Sequence, residues 1–239
     1  MIFNFINLYI IFIKNYVVNQ SYFMEDFTSE QFNEFKAIGQ PFILRNYDLK
    51  GKNFQGFDLV GENLEGLNLE GANFCNTNLT NTNFIGANLG GANLSGANLK
   101  GANFSNANLT GAKFTKIGIR ATVLTDSIFI GANLTDADFS EALLYRANFQ
   151  RANLTGSILL KSRIHGANFR EANLTYANLT EANGTNLGMG NSVSVFFNNA
   201  NLTRANFTNA DLENADFSYA ITTNCIFDKA NLKNSIGMK

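Results

Sequence analysis

From Tyr47 onward the chain places a large apolar residue at every fifth position: Leu49, Phe54, Leu59, Leu64 and so on to Leu179 make 27 consecutive centres, all Leu, Phe or Ile. Two residues before each centre stands a small residue, usually Ala, with Thr or Ser at Thr77, Thr82, Thr122, Ser127, Ser157 and Ser162; Asn or Asp lies between. A five-residue period rotates off any one helix face, and in a continuous strand an odd offset sends the next centre to the opposite side. The small residue and its centre are two apart, so they share a strand face. Keeping every centre inside therefore requires one turn per repeat. Turning the same way each time closes the chain into coils whose backbone edges pair as in a parallel sheet. The pattern predicts a narrow solenoid roofed with Ala and filled by residues such as Leu89, Leu94, Leu99, Phe104, Leu109, Leu134, Phe139, Phe149, Leu154, Phe169 and Leu174.

The repeated units Ala-Asn-Leu-Xaa-Gly and Ala-Asn-Phe-Xaa-Asn, running from Tyr47 to about Asn234, resemble the pentapeptide-repeat family. The resemblance implies an all-β fold, a right-handed quadrilateral β-helix with about twenty residues per coil and coils stacked at ~4.8 Å. Residues 47–184 form the main solenoid. At Gly184 a glycine replaces the large centre, and after residues 185–196, read as a bulge or projecting loop, a second segment over 197–239 resumes in a phase shifted by three residues, most simply Ser192-Val193-Ser194. Met189 offers one centre in the old phase. Lys113 to Ile128 keeps its centres but loses the Asn, which predicts irregular corners.

Residues 24–46 read as a short α-helical cap for the open end of the solenoid. Thr28-Ser29-Glu30-Gln31 is a capping-box pattern, Phe27 and Phe32 suit a hydrophobic staple, and Gly39 with Pro41 marks the stop. Residues 1–23 are apolar but interrupted by Asn4, Asn7, Lys14 and Asn15, too short and polar for a clear membrane span and without a small-residue cleavage site. They read either as an extension upstream of a start at Met24 or as an anchor, signal or end cover.

Charge and chemistry narrow the function. The whole chain carries a net charge of -1, and from Tyr47 onward fifteen Lys and Arg stand against fifteen Asp and Glu. That is neither a polybasic nucleic-acid binder nor an acidic rod like duplex DNA, with a charge every ~1.7 Å. One His and two Cys are too few for a Cys/His zinc site. His165 follows the centre Ile164 and is expected outside, and no nucleophilic triad can be built around it. Cys75 and Cys225 lie too many coils apart to pair, which favours a reducing, cytoplasmic setting. Gly-x-x-x-x-Gly spacings and Asn-Xaa-Ser/Thr triplets such as Asn78 and Asn93 are products of the repeat. A twenty-residue coil would stack Ser95, Thr115, Thr135, Thr155 and Thr175 into one hydroxyl column, read as strand-compatible Thr rather than an array for an ordered surface.

Charges fall in alternating bands. Lys100, Lys113, Lys116 and Arg120 form one basic band and Arg146, Arg151, Lys161, Arg163 and Arg170 a second, together the candidate partner-binding surface. No catalytic residue, metal or cofactor is expected. The leading expectation is a non-catalytic protein-interaction or scaffold protein with a protein partner and no direct nucleic acid; a homodimer through a terminal coil remains open. The resemblance also implies an alternative, since some relatives protect or inhibit DNA gyrase or topoisomerase as DNA mimics; the near-zero net charge counts against it. A third reading makes the rod a membrane-peripheral module held by residues 1–23.

Overall fold

The computed structural model describes Asn33, Ala37, Leu44 and residues 48–185 and 194–238. Within each repeat the centre's carbonyl accepts a hydrogen bond from the N–H three residues on, as in Ala72 to Leu69 at 3.0 Å and Thr77 to Phe74 at 3.1 Å, closing a tight turn. The third residue of that turn has a left-handed backbone, φ +66° at Gly71 and +58° at Asn76, which Gly and Asn adopt most readily. Between turns, the residue before the centre bonds to the coil below and the centre to the coil above: Asn73 N–H reaches Lys52 O at 2.9 Å and Phe74 N–H reaches Asn93 O at 2.7 Å. Successive coils thereby satisfy each other's backbone groups.

The parallel pairings trace four faces, each defined by its outward rung residues. Face 1 runs Asn53, Asn73, Asn93, Lys113, Asp138, Ile158, Asn178, Asn206 and Ile226; face 2 runs Asp58, Asn78, Asn98, Val123, Leu143, Arg163, Asn183, Asp211 and Asn231. Face 3 runs Asn63, Asn83, Asn103, Ile128, Asn148, Asn168, Phe196, Asp216 and Ile236; face 4 runs Asn68, Asn88, Asn108, Asn133, Asn153, Asn173, Asn201 and Ile221. Phe centres sit behind faces 1 and 3, Leu mostly behind faces 2 and 4. Behind face 3, Phe84, Phe104, Phe129, Phe149, Phe169, Phe197 and Phe217 form one stack of near-parallel rings at 4.7–5.1 Å. They meet the face 1 rings edge-on, Phe129 to Phe139 at 6.0 Å, the geometry that aromatic quadrupoles favour. Leu89, Leu94, Leu99, Phe104, Leu109, Leu134, Phe139, Phe149, Leu154, Phe169 and Leu174 are all fully buried.

Two insertions depart from the expected register. The first is a whole pentapeptide. Lys113 and Val123 occupy consecutive rungs, with Asn93 below one and Asn98 below the other, so that coil is five residues longer than its neighbours. The extra residues form a hairpin at the edge between faces 1 and 2, closed by reciprocal Ile117 and Arg120 backbone bonds of 2.9 Å. Ile119, counted as a core centre by its spacing, is instead fully exposed at 102%. The phase survives because the unit removed from the core is one repeat long.

The second insertion lies between Asn183 and Phe196, consecutive rungs thirteen positions apart rather than five. Eight residues are added, not three, and the ladder resumes at Val195 and Phe196, within the stretch read as a loop; Met189 lies outside the described residues. The Gly184 centre has a local cause. A methyl group there would lie 2.7 Å from Val195 Cγ2 and 3.0 Å from the Asp211 carbonyl oxygen. Val195, buried where Ala is usual, fills the volume that a Leu centre would occupy.

Of the expected helical cap over 24–46, only Asn33, Ala37 and Leu44 are described, and residues 1–23 lie outside the described residues. Asn33 is helical and closes an edge of the first coil, its side chain donating to Gly56 O at 3.1 Å and accepting from Asp58 N–H at 2.8 Å.

Candidate interaction surface

Because core and backbone are satisfied internally, surface chemistry resides in the rung residue, the residue after the centre, and the corner. At most rungs Asn is itself structural. Its Oδ1 accepts the N–H two residues on, as in Gln150 to Asn148 at 3.1 Å, an Asx turn that fixes the corner. On face 4 the amides also bond rung to rung, Asn108 to Asn88 at 2.8 Å and Asn173 to Asn153 at 3.3 Å. Thr hydroxyls complete that network. Thr155 donates to Asn153 at 2.7 Å and accepts from Asn173 at 2.9 Å.

The five-residue insertion redraws the expected hydroxyl column. Ser95 and Thr115 do bond at 2.9 Å. However, Lys113 pairs with Asp138 and Asn108 with Asn133, so Ser140 follows Thr115, while Thr135 stacks over Thr110. The face 4 hydroxyls give and receive hydrogen bonds within the protein, which leaves them little to offer an outside surface.

Four of the nine candidate cations, Lys116, Arg146, Arg151 and Lys161, pair with carboxylates on adjoining coils. Arg146 donates both Nε and Nη2 to Asp126 at 2.7 and 2.8 Å, Arg151 meets Glu171 at 2.7 Å, Lys116 meets Glu141 at 2.9 Å and Lys161 meets Glu181 at 3.6 Å. These pairs stand on corners, several on left-handed non-Gly residues such as Glu141, Arg146, Arg151 and Lys161. The cations hold the Asp126, Glu141 and Glu171 carboxyls below the usual carboxylate range, each led by the direct hydrogen bond. The nine candidate cations therefore do not form one surface. Lys100, Arg120 and Arg163 lie on or beside face 2, Lys113 on face 1, Lys116, Arg146, Arg151 and Lys161 in corner ion pairs, and Arg170 on face 3 with its guanidinium 3.9 Å over the Phe196 ring.

Other residues escaped the sequence reading. Arg204 donates to Tyr176 OH at 2.6 Å, and Asn198 donates to Asp216. Burial pushes the Asp216 carboxyl up, but the Ser218 and Asn198 bonds and the Arg170 charge bring it net below its ordinary value.

His165, expected outside, is buried at 7% with Nδ1 3.4 Å from the Gly184 carbonyl oxygen. Its corner lies between the Arg163 and Asn168 rungs, which pair with Asn183 and Phe196. Cys75 and Cys225 are both free, and burial pushes the Cys225 thiol up to about 11. Seven rungs of face 1 separate them, ~34 Å at the strand spacing. Among the described residues no three His, Cys, Asp or Glu side chains gather as a metal site, and no helix is long and apolar enough to cross a membrane.

A family model described as pentapeptide repeats matches in eight copies, over residues 44–81, 58–96, 77–115, 122–159, 147–183 and 196–234. No curated protein matches. Among solved structures, the chain is similar to a trypsin-treated form of QnrB1, a plasmid-mediated fluoroquinolone resistance protein, at 19% identity and TM-score 0.56 over 77% of this chain and 86% of that one. HetL, a pentapeptide repeat protein involved in heterocyst differentiation regulation from the cyanobacterium Nostoc sp. strain PCC 7120, matches at 25% identity and TM-score 0.49, covering 88% of this chain and 97% of HetL. Rfr23 from the cyanobacterium Cyanothece 51142 matches at 28% identity and TM-score 0.24, covering 49% of this chain and 84% of Rfr23. The four-faced solenoid described above is the right-handed quadrilateral β-helix of such proteins.

Proposed function

This chain belongs to the pentapeptide-repeat family, and from that premise we propose that it is a non-catalytic protein-interaction or scaffold protein, a rigid cytoplasmic rod that holds a protein partner. Proteins of this family are generally structural or interaction proteins. The observation that carries the reading is the division of labour along the chain. Inward positions are given over mainly to Leu, Phe and Ala, while outward side chains stand on a fixed lattice and differ from face to face. A surface whose spacing is set by the backbone loses little conformational entropy on binding, which suits recognition of a macromolecule.

The charge arrangement supports a protein partner over mimicry of DNA. Carboxylates at Asp126, Glu141, Glu171 and Glu181 are matched by cations on adjoining coils, so the rod lacks the continuous negative field of a duplex. Affinity purification of the full chain from its own cells, followed by mass spectrometry, tests the reading. We expect one protein recovered in near-stoichiometric amount with the soluble fraction. Recovery of gyrase or topoisomerase subunits would install the DNA-mimic reading instead, and recovery with membranes alone would favour the anchored module. A chain that elutes unaccompanied under mild conditions would sink all three.

A further inference from the structure

The replacements of rung Asn are not scattered evenly. Face 4 keeps Asn on every rung from Asn68 to Asn201, whereas face 2 carries Val123, Leu143 and Arg163 on three successive rungs. A rung Asn stabilises its own turn through the Asx bond, and Val and Leu cannot make it. Val123 and Leu143 are only half-buried, so they gain part of the apolar burial that would offset that loss. Two stacked apolar side chains on a solvent-facing rung are thus a cost to the isolated rod.

The same face is bordered by the 115–122 hairpin. Its base is fixed: Thr122 Oγ accepts from Gly96 N–H at 2.8 Å and donates to Thr115 O at 2.8 Å, above the reciprocal Ile117 and Arg120 backbone bonds. This pre-ordered turn holds Ile119 wholly in solvent, where an apolar side chain contributes nothing to folding. The charges on this face also differ from those on the corners. Lys100, Arg120 and Arg163 form no ion pair among the described residues, while Lys116, Arg146 and Lys161 on the flanking corners are paired; Arg163 reaches only the Tyr145 hydroxyl, at 3.4 Å. At Val123 and Leu143 face 2 carries a short apolar strip bordered by cations outside any ion pair among the described residues.

We propose that Val123, Leu143 and Ile119, with Lys100, Arg120 and Arg163, dock an acidic amphipathic segment of a protein partner. The inference rests on the interaction reading above. The apolar strip anchors the segment's hydrophobic side chains, and the cations receive its carboxylates. Three cations interleaved with apolar side chains fit such a peptide better than a nucleic-acid backbone, which calls for a continuous basic track.

The test uses the full chain in its own cells, with photo-reactive benzoylphenylalanine in place of Leu143 on face 2 or, as the control, of Asn153 on face 4. After irradiation, mass spectrometry identifies the cross-linked peptide. The expected result is an adduct at position 143 and none at 153, to one protein whose linked peptide mixes apolar residues with Asp and Glu. In the 143 background, Ile119→Asp and, separately, Val123→Asn should each lower the adduct yield about tenfold. Val123→Asn restores the usual rung residue, so unchanged circular dichroism and thermal unfolding separate lost binding from lost folding. Adducts at 153 but not 143 would overturn this inference and leave the interaction reading standing. A linked peptide that is basic, one from a second copy of this chain, or a nucleic acid would overturn the partner chemistry. Adducts at neither site, with no partner in the affinity purification, would remove the interaction reading as well.

Discussion

Ser157 and Ser162 take the same small inward position one repeat apart, yet their hydroxyls have different surroundings. Ser162 donates to Leu159 O at 2.8 Å, whereas Ser157 Oγ is buried with no partner, in a column where Ala137 and Ala177 stand on either side. A buried hydroxyl left unpaired carries its full desolvation penalty, so Ser157→Ala should raise stability by about 1 kcal/mol and Ser162→Ala lower it by a similar amount. Urea denaturation of the two variants checks both signs. The corner carboxylates titrate as well. Arg146 holds the Asp126 carboxyl below its ordinary value, and Lys116 and Arg151 do the same for Glu141 and Glu171. A folded-state value below the unfolded one means stability that is present above the unfolded pKa and lost as pH falls through the folded one. The melting temperature should therefore drop as pH falls below about 4. The drop should be smaller in Asp126→Asn, where Asn tolerates the φ of +58°; an unchanged pH profile would show that these exposed pairs contribute nothing to the folded state.

The inserted hairpin makes its own prediction at the level of the element. Removing residues 116–120 joins Thr115 to Ala121 and leaves Phe114, a corner, Thr122, Val123 and Leu124 in regular pentapeptide order. The joined residue must take the left-handed corner, so the deletion with Ala121→Gly should fold with unchanged circular dichroism, while the deletion alone should be less stable by about 1 kcal/mol. Loss of folding in both would mean that the hairpin holds its coil together. The same hairpin shows why some of the architecture was readable and some was not. Spacing alone identified the centres, because a Leu or Phe on the rung, between the small residue and the centre, would face solvent. It could not detect an excursion of one whole repeat, since Ile119 remained in phase; the available signal was Ile117-Gly118, where a small residue and Asn belong. That excursion changes which residues stack. Pairs twenty apart, such as Asp126 with Arg146, follow from a regular coil, but Lys116 with Glu141 and the Thr110 to Thr135 column require its length to be known. Likewise the contact of His165 with the Gly184 carbonyl oxygen follows from coil stacking, and the length of the insertion after Asn183 was legible only modulo five. The candidate surface suffered most, because its residues meet through coil stacking.

Across the whole molecule each coil touches only the one above and the one below, so stability is close to a sum of neighbouring contacts rather than the property of one closed core. The two edges of a coil are not equivalent at the C-terminal end. Ile221, Ile226, Asn231 and Ile236 donate to Ala200, Ala205, Ala210 and Ala215 at 2.9, 2.9, 2.9 and 3.0 Å, but no described coil lies above to accept from Thr222, Phe227 and Leu232. Phe217, one coil down, is fully buried and donates to Ile236 O at 2.9 Å, while Phe227 is only half-buried. Opening the last described coil therefore breaks one described set of contacts, whereas opening a middle coil such as that of Leu144 breaks two. Native-state hydrogen exchange should show a gradient: amides of residues 222–238 exchange fastest, Phe217 and Leu212 are slower, and the coils between Leu89 and Phe169 exchange only with global unfolding. Low urea should speed the terminal coil first and leave the middle untouched. Uniform exchange rates from Leu89 to Leu232 with a single urea dependence would instead show that inter-coil contacts dominate so fully that the rod unfolds as one cooperative body, and a partner bound at one face would then stabilise every coil equally.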